Sequence, residues 1–538
     1  MADQASPSLQ VIVLGSGGGP QESNVTAFLV RSLEQDWRKG SIVAVDAGVH
    51  LSAITRLIEE AMPSPAPSPP FTLTTGPFTG LRLPHATAAA NAAHVARALV
   101  DTYLVTHPHL DHIAGLVINT AGLPGTRPKK LAALPSTIQA LKAHVFNNVI
   151  WPNLSDESNG AGLLTYLRLV EGGSPALGDG DTKGYLEVCD GLQVKTWSVS
   201  HGHCLEKHSH RGSTASDPST RYGSHDAASS HHCTPRRDTY GMAHHHTPMS
   251  RAHSLANQGG GFIGGNSPRP PPPSSHETAE QQRVCVYDSS AYFIQEQATR
   301  REILIFGDVE PDSLSLSPRN LPVWQEAAPK IASGALAAIF IECSYDDAQS
   351  DDRLYGHLKP VFLIEELRTL AAEVEMARKL RALESRKRKR ASVSDGAAGR
   401  RQTSATTSRK PLTAEDPVSP KSLKPILRAN TTDMVMKTGE DGTETPHLAT
   451  PTEEMSLQDA DVGIMSLPPS VTNPVSSSSS SSAKPLRGLK VVIIHVKETL
   501  ADGPERGDVI LQQLQEHEEE AQLGCEFIVS KSGQSFYL

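Results

Sequence analysis

An α/β layered fold broken by two long disordered tracts is what this sequence predicts, and three observations carry that expectation. Short apolar segments of strand length recur along most of the 538 residues, and helix-like stretches fall between several of them. Two internal segments lose this patterning. The composition agrees: 38% of residues are hydrophobic, only 5% are aromatic, and 41 Gly and 39 Pro cluster rather than spread. Such a chain cannot be packed throughout. One sizeable core is expected, and collagen, coiled-coil and disulfide-scaffold architectures are excluded.

The strands are read in order from apolar runs. They are Leu9 to Leu14, Val25 to Val30, Ile42 to Val45, Thr102 to Val105, Val194 to Val199, Val284 to Tyr287, Glu302 to Phe306, Ala337 to Ile341 and Lys490 to His495. Helical spacing of apolar residues marks Leu51 to Ala61, Ile113 to Ile118, Pro360 to Ala382 and Val509 to Glu520. The first unpatterned tract, 205–282, is rich in Ser, His, Pro and Gly. The second, 385–486, opens on Arg386-Lys387-Arg388-Lys389-Arg390 and ends on the serine run Ser476 to Ser482. Neither has the apolar content to offset the entropy of ordering. The remaining blocks, 1–204, 283–384 and 487–538, are ample for one large domain.

Net charge is −9. That disfavours general nucleic-acid binding, which wants a broad basic surface. No run of 18 apolar residues occurs, so no membrane span is expected. Met1 to Gln10 shows no secretory signal. The six cysteines form no CxxC pair, which reads as reduced thiols in a cytoplasmic protein, with a nuclear location left open.

Chemistry concentrates in one place. The strand ending at Val105 runs into Thr106-His107-Pro108-His109-Leu110-Asp111-His112, and an apolar helical stretch follows. Three imidazoles and a carboxylate within six residues are ligands for divalent metals such as zinc. His107 and His109 are two apart and can share one side of an extended segment, while Asp111 and His112 enter the turn and can serve an adjacent ion. A polar loop that merely contains histidine seldom shows this spacing.

The run His107-Pro108-His109-Leu110-Asp111-His112-Ile113-Ala114-Gly115 resembles the signature of the class II cyclic-nucleotide phosphodiesterases within the metallo-β-lactamase superfamily. Other segments match in the same order: Gly15 to Gly19 with Asn24, Asp46-Ala47-Gly48, Ser200-His201-Gly202, Gly307 to Asp312, Glu342 to Tyr345 with Gly356-His357-Leu358, Ile493 to Lys497, and Leu523 to Phe527. The resemblance covers the three folded blocks and leaves both tracts outside as insertions. It implies a metallo-β-lactamase-like αββα sandwich and a homodimer. It also implies a dinuclear site, with His107, His109 and His201 on one ion, Asp111, His112 and His495 on the other, and Asp308 bridging.

Read by themselves, the distal residues admit alternatives. His495 ends an apolar run and fits a core histidine equally. Asp308, between Gly307 and Pro311, also fits a turn. His203 competes with His201, which is preferred on the Ser-His-Gly pattern. Asp46 is either an orienting carboxylate behind a ligand or a turn residue. The glycines 15–19 lack the spacing of a dinucleotide-binding loop and are assigned to a tight turn.

The implied reaction is metal-dependent hydrolysis of 3′,5′-cyclic nucleotides, cAMP and also cGMP, to nucleoside 5′-monophosphates, which attenuates cAMP signalling. Paired divalent ions ionise a shared water and neutralise the phosphoryl oxygens. The catalytic set is Asp111, which is also a ligand, His357 as proton donor to the leaving 3′-oxygen, and Glu342 orienting it. The rival readings are a tRNA 3′-end nuclease of the same fold and an inactive metal-bound scaffold.

Twelve of the 23 histidines fall within 201–276. Without regular spacing this reads as low complexity before metal delivery. The basic cluster 386–390 is either the solvated end of a helix or a nuclear signal. Ser392 and Thr403 follow basic residues in the pattern of cAMP-dependent kinase sites.

Overall fold

The computed structural model describes residues 6–122, 127–206, 283–397 and 484–538. The chain divides into two units: 1–386 with 483–538, and 387–482. In the second unit the description is limited to the last residues of one helix. Most of the two tracts expected to be disordered, with Thr403 and the histidine-rich stretch, lies outside the described residues.

The first unit is built on two seven-stranded mixed sheets. The first sheet runs Ser535–Tyr537, Leu9–Gly15, Ala27–Ser32, Ile42–Ala47, Val100–Leu104, Lys129–Ala133 and Leu164–Arg168. The second runs Glu526–Val529, Lys490–Ile494, Leu336–Glu342, Glu302–Phe306, Arg283–Glu296, Leu192–Glu206 and Leu186–Cys189.

Alternation along each strand sets the layers. Leu9, Val11 and Val13 join Tyr292, Ile294, Ile305, Phe340 and Val492 in a core of their own. Ile12 and Leu14 instead share a core with Ile54, Leu57, Ile58, Ile113 and Leu116 of the helices Leu51–Ala61 and Leu110–Gly122. The opposite face of the second sheet packs on Trp324, Leu363, Leu367 and Ile510 of the helices Asn320–Ser333, Pro360–Ala397 and Arg506–Ala521. Strands buried on both faces read as near-continuous apolar runs, and these do so apart from buried polar residues such as Gln10, Arg31 and Asp46. The result is helix, sheet, sheet, helix: the αββα sandwich. Among the described residues no helix is long and apolar enough to cross a membrane, and Cys189, Cys343 and Cys525 form no disulfide.

Two expected element ends need correction. The strand expected to stop at Val199 continues to Glu206, so His201 lies inside it. The helix from Pro360 runs to Ala397 rather than Ala382, carrying the basic cluster and the backbone of Ser392 with it. Its Ala, Leu, Glu, Arg and Lys residues are strong helix formers even where nothing packs on them. The boundary expected at 384 lies within this helix, two residues before the division after Arg386.

Two sets of parallel strands position the site. Ile42–Ala47 lies beside Val100–Leu104 in the first sheet. Glu302–Phe306, Leu336–Glu342 and Lys490–Ile494 lie side by side in the second. Residues at the C-terminal ends of parallel strands share one edge, where ligand sites are built.

Candidate metal and catalytic site

Each strand end delivers a polar side chain. Asp46 is the next-to-last residue of Ile42–Ala47, and His107 follows Val100–Leu104 after two residues. Asp308, Glu342 and His495 end or follow the three parallel strands of the second sheet. Pro108 and His109 continue the connecting loop, and Asp111 and His112 occupy the first turn of Leu110–Gly122. That places a carboxylate at a helix N-terminus, where the helix dipole favours it. His201 sits where the register between Leu192–Glu206 and Arg283–Glu296 shifts, between Ser200 and His203. Such a bulge re-aims a side chain that regular alternation would send elsewhere.

These residues converge. Ligand atoms of His107, His109, His201 and Asp308 lie within 4.8 Å of one another, and so do those of Asp111, His112 and His495. Asp308 joins the groups. Its Oδ2 is 3.6 Å from His107 Nε2, 3.5 Å from His201 Nε2 and 3.3 Å from His495 Nε2, while its Oδ1 is 3.2 Å from His112 Nε2. His495 Nε2 is 3.7 Å from Asp111 Oδ2. Two ligands about 2.1 Å from one tetrahedral ion stand about 3.4 Å apart. His203 is exposed and belongs to neither group.

The donor set fits a divalent metal on a further ground. Nε2 of His107, His112 and His495 and Oδ1 of Asp308 are buried with no hydrogen-bond partner. Four orphaned polar atoms in one place would carry a desolvation cost that a cation removes.

The remote ring nitrogens, in contrast, are held. His112 Nδ1 donates to Asp46 Oδ2 at 2.8 Å. His107 Nδ1 lies 3.0 Å from Thr106 Oγ1, whose hydroxyl donates to Asp46 Oδ2. His495 Nδ1 lies 2.7 Å from Thr26 Oγ1, which donates to the Gly17 carbonyl. His201 Nδ1 donates to the Gly356 carbonyl at 2.9 Å. Each hydroxyl has spent its proton elsewhere, so it accepts from the imidazole and leaves the Nε2 lone pair inward. Partners of this kind fix the tautomer of ligand histidines.

Burial drives His107 and His495 well below the ordinary imidazole value, and His201 down to about 3. Asp308 is buried, which favours its neutral form, yet the surrounding imidazoles hold it well below the usual carboxylate range. Neutral rings around an ionised carboxylate are the forms that bind a cation. His112 differs. Burial opposes its charge, but Asp308 and Asp46 on either side outweigh burial and raise it well above the ordinary value.

Glycine has defined work at two points. A Cβ on Gly48 would lie 1.8 Å from the Asp111 carbonyl oxygen, so only glycine lets the ligand-bearing helix approach this closely. A Cβ on Gly18 would lie 2.6 Å from the His495 ring. The glycine stretch is thus more than the expected tight turn: it packs against His495.

His357 stands beside the cluster. Its Nδ1 lies 2.9 Å from Glu342 Oε1, and its ring stacks on that of His495 with centroids 5.3 Å apart. Glu342 is fully buried and also accepts from the Val309 N–H and the Ser344 hydroxyl. Its four-way anchoring includes the Leu358 N–H.

Sequence reading did not find Thr26, or Thr106 as a support. Thr106 immediately precedes a ligand, a usable signal. Thr26 has none, being 469 residues from the ring it holds.

Comparisons with known proteins bear on the family and the fold. A family model described as "cAMP phosphodiesterases class-II" matches residues 9–212, 239–385 and 470–533. The match enters both tracts and is wider than the expected resemblance. A 3′,5′-cyclic-nucleotide phosphodiesterase of Schizosaccharomyces pombe is 26% identical, covering 68% of this chain and 77% of that protein. One of Candida albicans is 26% identical over 68% of this chain and 83% of its own. The crystal structure of unliganded yeast PDE1 superposes with a TM-score of 0.54 at 18% identity, covering 99% of this chain and all of the other.

Proposed function

The chain belongs to the class II cAMP phosphodiesterases, and from that premise we propose how its residues divide the work. It is a hydrolase of 3′,5′-cyclic nucleotides on a metallo-β-lactamase-type αββα sandwich. His107, His109 and His201 would hold one divalent ion, Asp111, His112 and His495 would hold a second, and Asp308 would stand between them. The four orphaned atoms at the cluster carry this assignment. The all-nitrogen-and-oxygen donor set, rich in imidazole, favours zinc. A bound pair of such ions supplies a nucleophile ionised near neutral pH and positive charge for the phosphoryl oxygens.

The protein's own groups do the rest. Asp46, Thr106, Thr26 and the Gly356 carbonyl keep the Nδ1 protons in place, so the ring lone pairs face the ions. Glu342 accepts from His357 Nδ1–H, and the imidazolium form of His357 gives its Nε2 proton to the leaving 3′-oxygen and is left as the neutral ring. The product is the nucleoside 5′-monophosphate.

The direct test is turnover of cAMP and cGMP by the purified protein, with a tRNA precursor as control and elemental analysis alongside. Activity lost to a chelator and restored by zinc, with about two ions per chain, is expected. One ion per chain at full activity would overturn the dinuclear assignment. Full activity after complete metal removal would overturn the site.

A homodimer, a cytoplasmic location and phosphorylation at Ser392 or Thr403 belong to the same reading. Sizing by light scattering, imaging of the tagged protein and phosphopeptide mapping with the kinase active test them in turn. A monomer, a fully nuclear signal or two unmodified residues would remove the corresponding part.

A further inference from the structure

Two cavities flank the metal cluster. One, of about 860 Å³, lies on the Asp111 side along the helices Leu51–Ala61 and Leu110–Gly122. The other, of about 500 Å³, is lined by His201 and His357. We propose that the smaller cavity receives the purine of the substrate, with Tyr355 and Tyr287 as its stacking surfaces. This deepens, and rests on, the reading of His357 as the proton donor.

The direction of the substrate follows from connectivity. The oxygen that leaves phosphorus belongs to the ribose, and the ribose carries the base. The group that protonates this oxygen lines the smaller cavity and does not line the larger one. Ribose and base therefore extend into the smaller cavity.

Its walls suit a flat aromatic guest. Tyr355, two residues before His357, is 70% exposed, and Tyr287 is 43% exposed. The Tyr287 ring lies 6.2 Å from that of His109, edge to face. An exposed tyrosine ring beside a phosphate-handling site is what base stacking requires. The larger cavity has no Tyr, Trp or Phe among its described lining residues, and its exposed apolar groups are Leu110 and Ile118.

Backbone geometry points the same way. Tyr355 has φ +52°, a conformation that Asn or Gly takes at lower cost than a bulky residue. The fold carries that cost and keeps an aromatic ring there, as strained residues at functional sites do. The remaining polar walls are His203 and the carboxylates Glu310, Asp351 and Asp352. A carboxylate accepts only, and it meets the exocyclic amino group that adenine and guanine both carry. Stacking itself tolerates either purine, so this cavity admits both cAMP and cGMP.

The test compares Tyr355→Asn, which suits the left-handed backbone and removes the ring, with Tyr355→Phe, which keeps it. In the metal-loaded enzyme, Tyr355→Asn raises KM for cAMP and for cGMP about tenfold and changes kcat much less, whereas Tyr355→Phe stays near wild type. Equilibrium binding of 5′-AMP and of ribose 5-phosphate is measured on the same proteins. The wild type favours 5′-AMP about tenfold, and Tyr355→Asn loses that preference without weaker binding of ribose 5-phosphate. An unchanged preference in Tyr355→Asn, or equal loss for both probes, overturns the proposal. Because the binding probes need no turnover, they decide it even if His357→Asn proves that another group donates the proton.

Discussion

His107, His109, Asp111 and His112 come from six consecutive residues of the first sheet's edge, whereas His201, Asp308 and His495 come from three separate segments of the second. The difference extends to their supports. The contiguous half rests on one buried carboxylate: Asp46 accepts from the Thr106 N–H and hydroxyl and from His112, each at 2.8 Å. The scattered half rests on unrelated groups, a threonine hydroxyl for His495 and a backbone carbonyl for His201. Strain is present in both, since Asp46 and His495 each sit at positive φ, +51° and +58°. One half of the site is thus built by local sequence and the other by tertiary assembly. Asp308 is the side chain that couples them.

Removing that coupling has the largest expected effect. Asp308→Ala deletes the carboxylate within reach of His107, His112, His201 and His495. Two divalent ions then face each other with less compensating charge. Activity on cAMP falls by about 10³-fold or more, given several kcal/mol of lost transition-state stabilisation, and elemental analysis reads fewer than two ions per chain. Full metal content with full activity would show that the halves do not need the bridge.

His357→Asn comes next and isolates chemistry from assembly. The residue lies outside the proposed ligand set, so both ions remain. Loss of a general acid lowers kcat by about 10²–10⁴-fold. The defect shrinks to less than about tenfold for a phosphodiester with a nitrophenolate leaving group, which departs without a proton. An equal defect on both substrates would mean that His357 serves structure. Glu342→Gln acts through His357 and follows the same substrate pattern at smaller size.

These expectations differ in how far the sequence alone supports them. The cluster at 107–112 is legible because ligand spacing and the flanking strand and helix are local. Asp308 and His495 are legible only as strand ends, and their pairing with the motif needs the sheet order, which no local pattern encodes. His201 depends on a register shift at Ser200–His203 that strand periodicity does not reveal. The helix Asn320–Ser333 escapes pattern reading because Pro329 lies inside it. Tyr287 and Tyr355 carry no sequence signal at all, since exposure beside a cavity is a property of the fold.

Asp46→Asn tests the support of the contiguous half. The amide presents a donor toward groups that are themselves donors, so at least one of three hydrogen bonds is lost. Metal affinity or activity falls by about 10–100-fold, the usual range for a group behind a ligand. Because Thr106 and His112 both lean on Asp46, the ion held by His107 and the ion held by His112 weaken together. Chelator competition that finds only one ion weakened would confine the role of Asp46 to His112.

Thr26→Val is the finest cut, and it separates the halves. The substitution keeps the shape, and it removes the hydroxyl that accepts from His495 Nδ1 at 2.7 Å and donates to the Gly17 carbonyl. His495 then has no fixed tautomer, while Asp46, Thr106 and Gly356 still hold the other rings. Only the ion on Asp111, His112 and His495 is expected to weaken, by about tenfold at the low end of the same range, and Thr26→Ser restores it. A stepwise metal titration therefore shows one unchanged and one weakened step. If both steps weaken equally, Asp308 transmits the loss across the bridge. The seven ligands then form one cooperative unit rather than a local half and an assembled half.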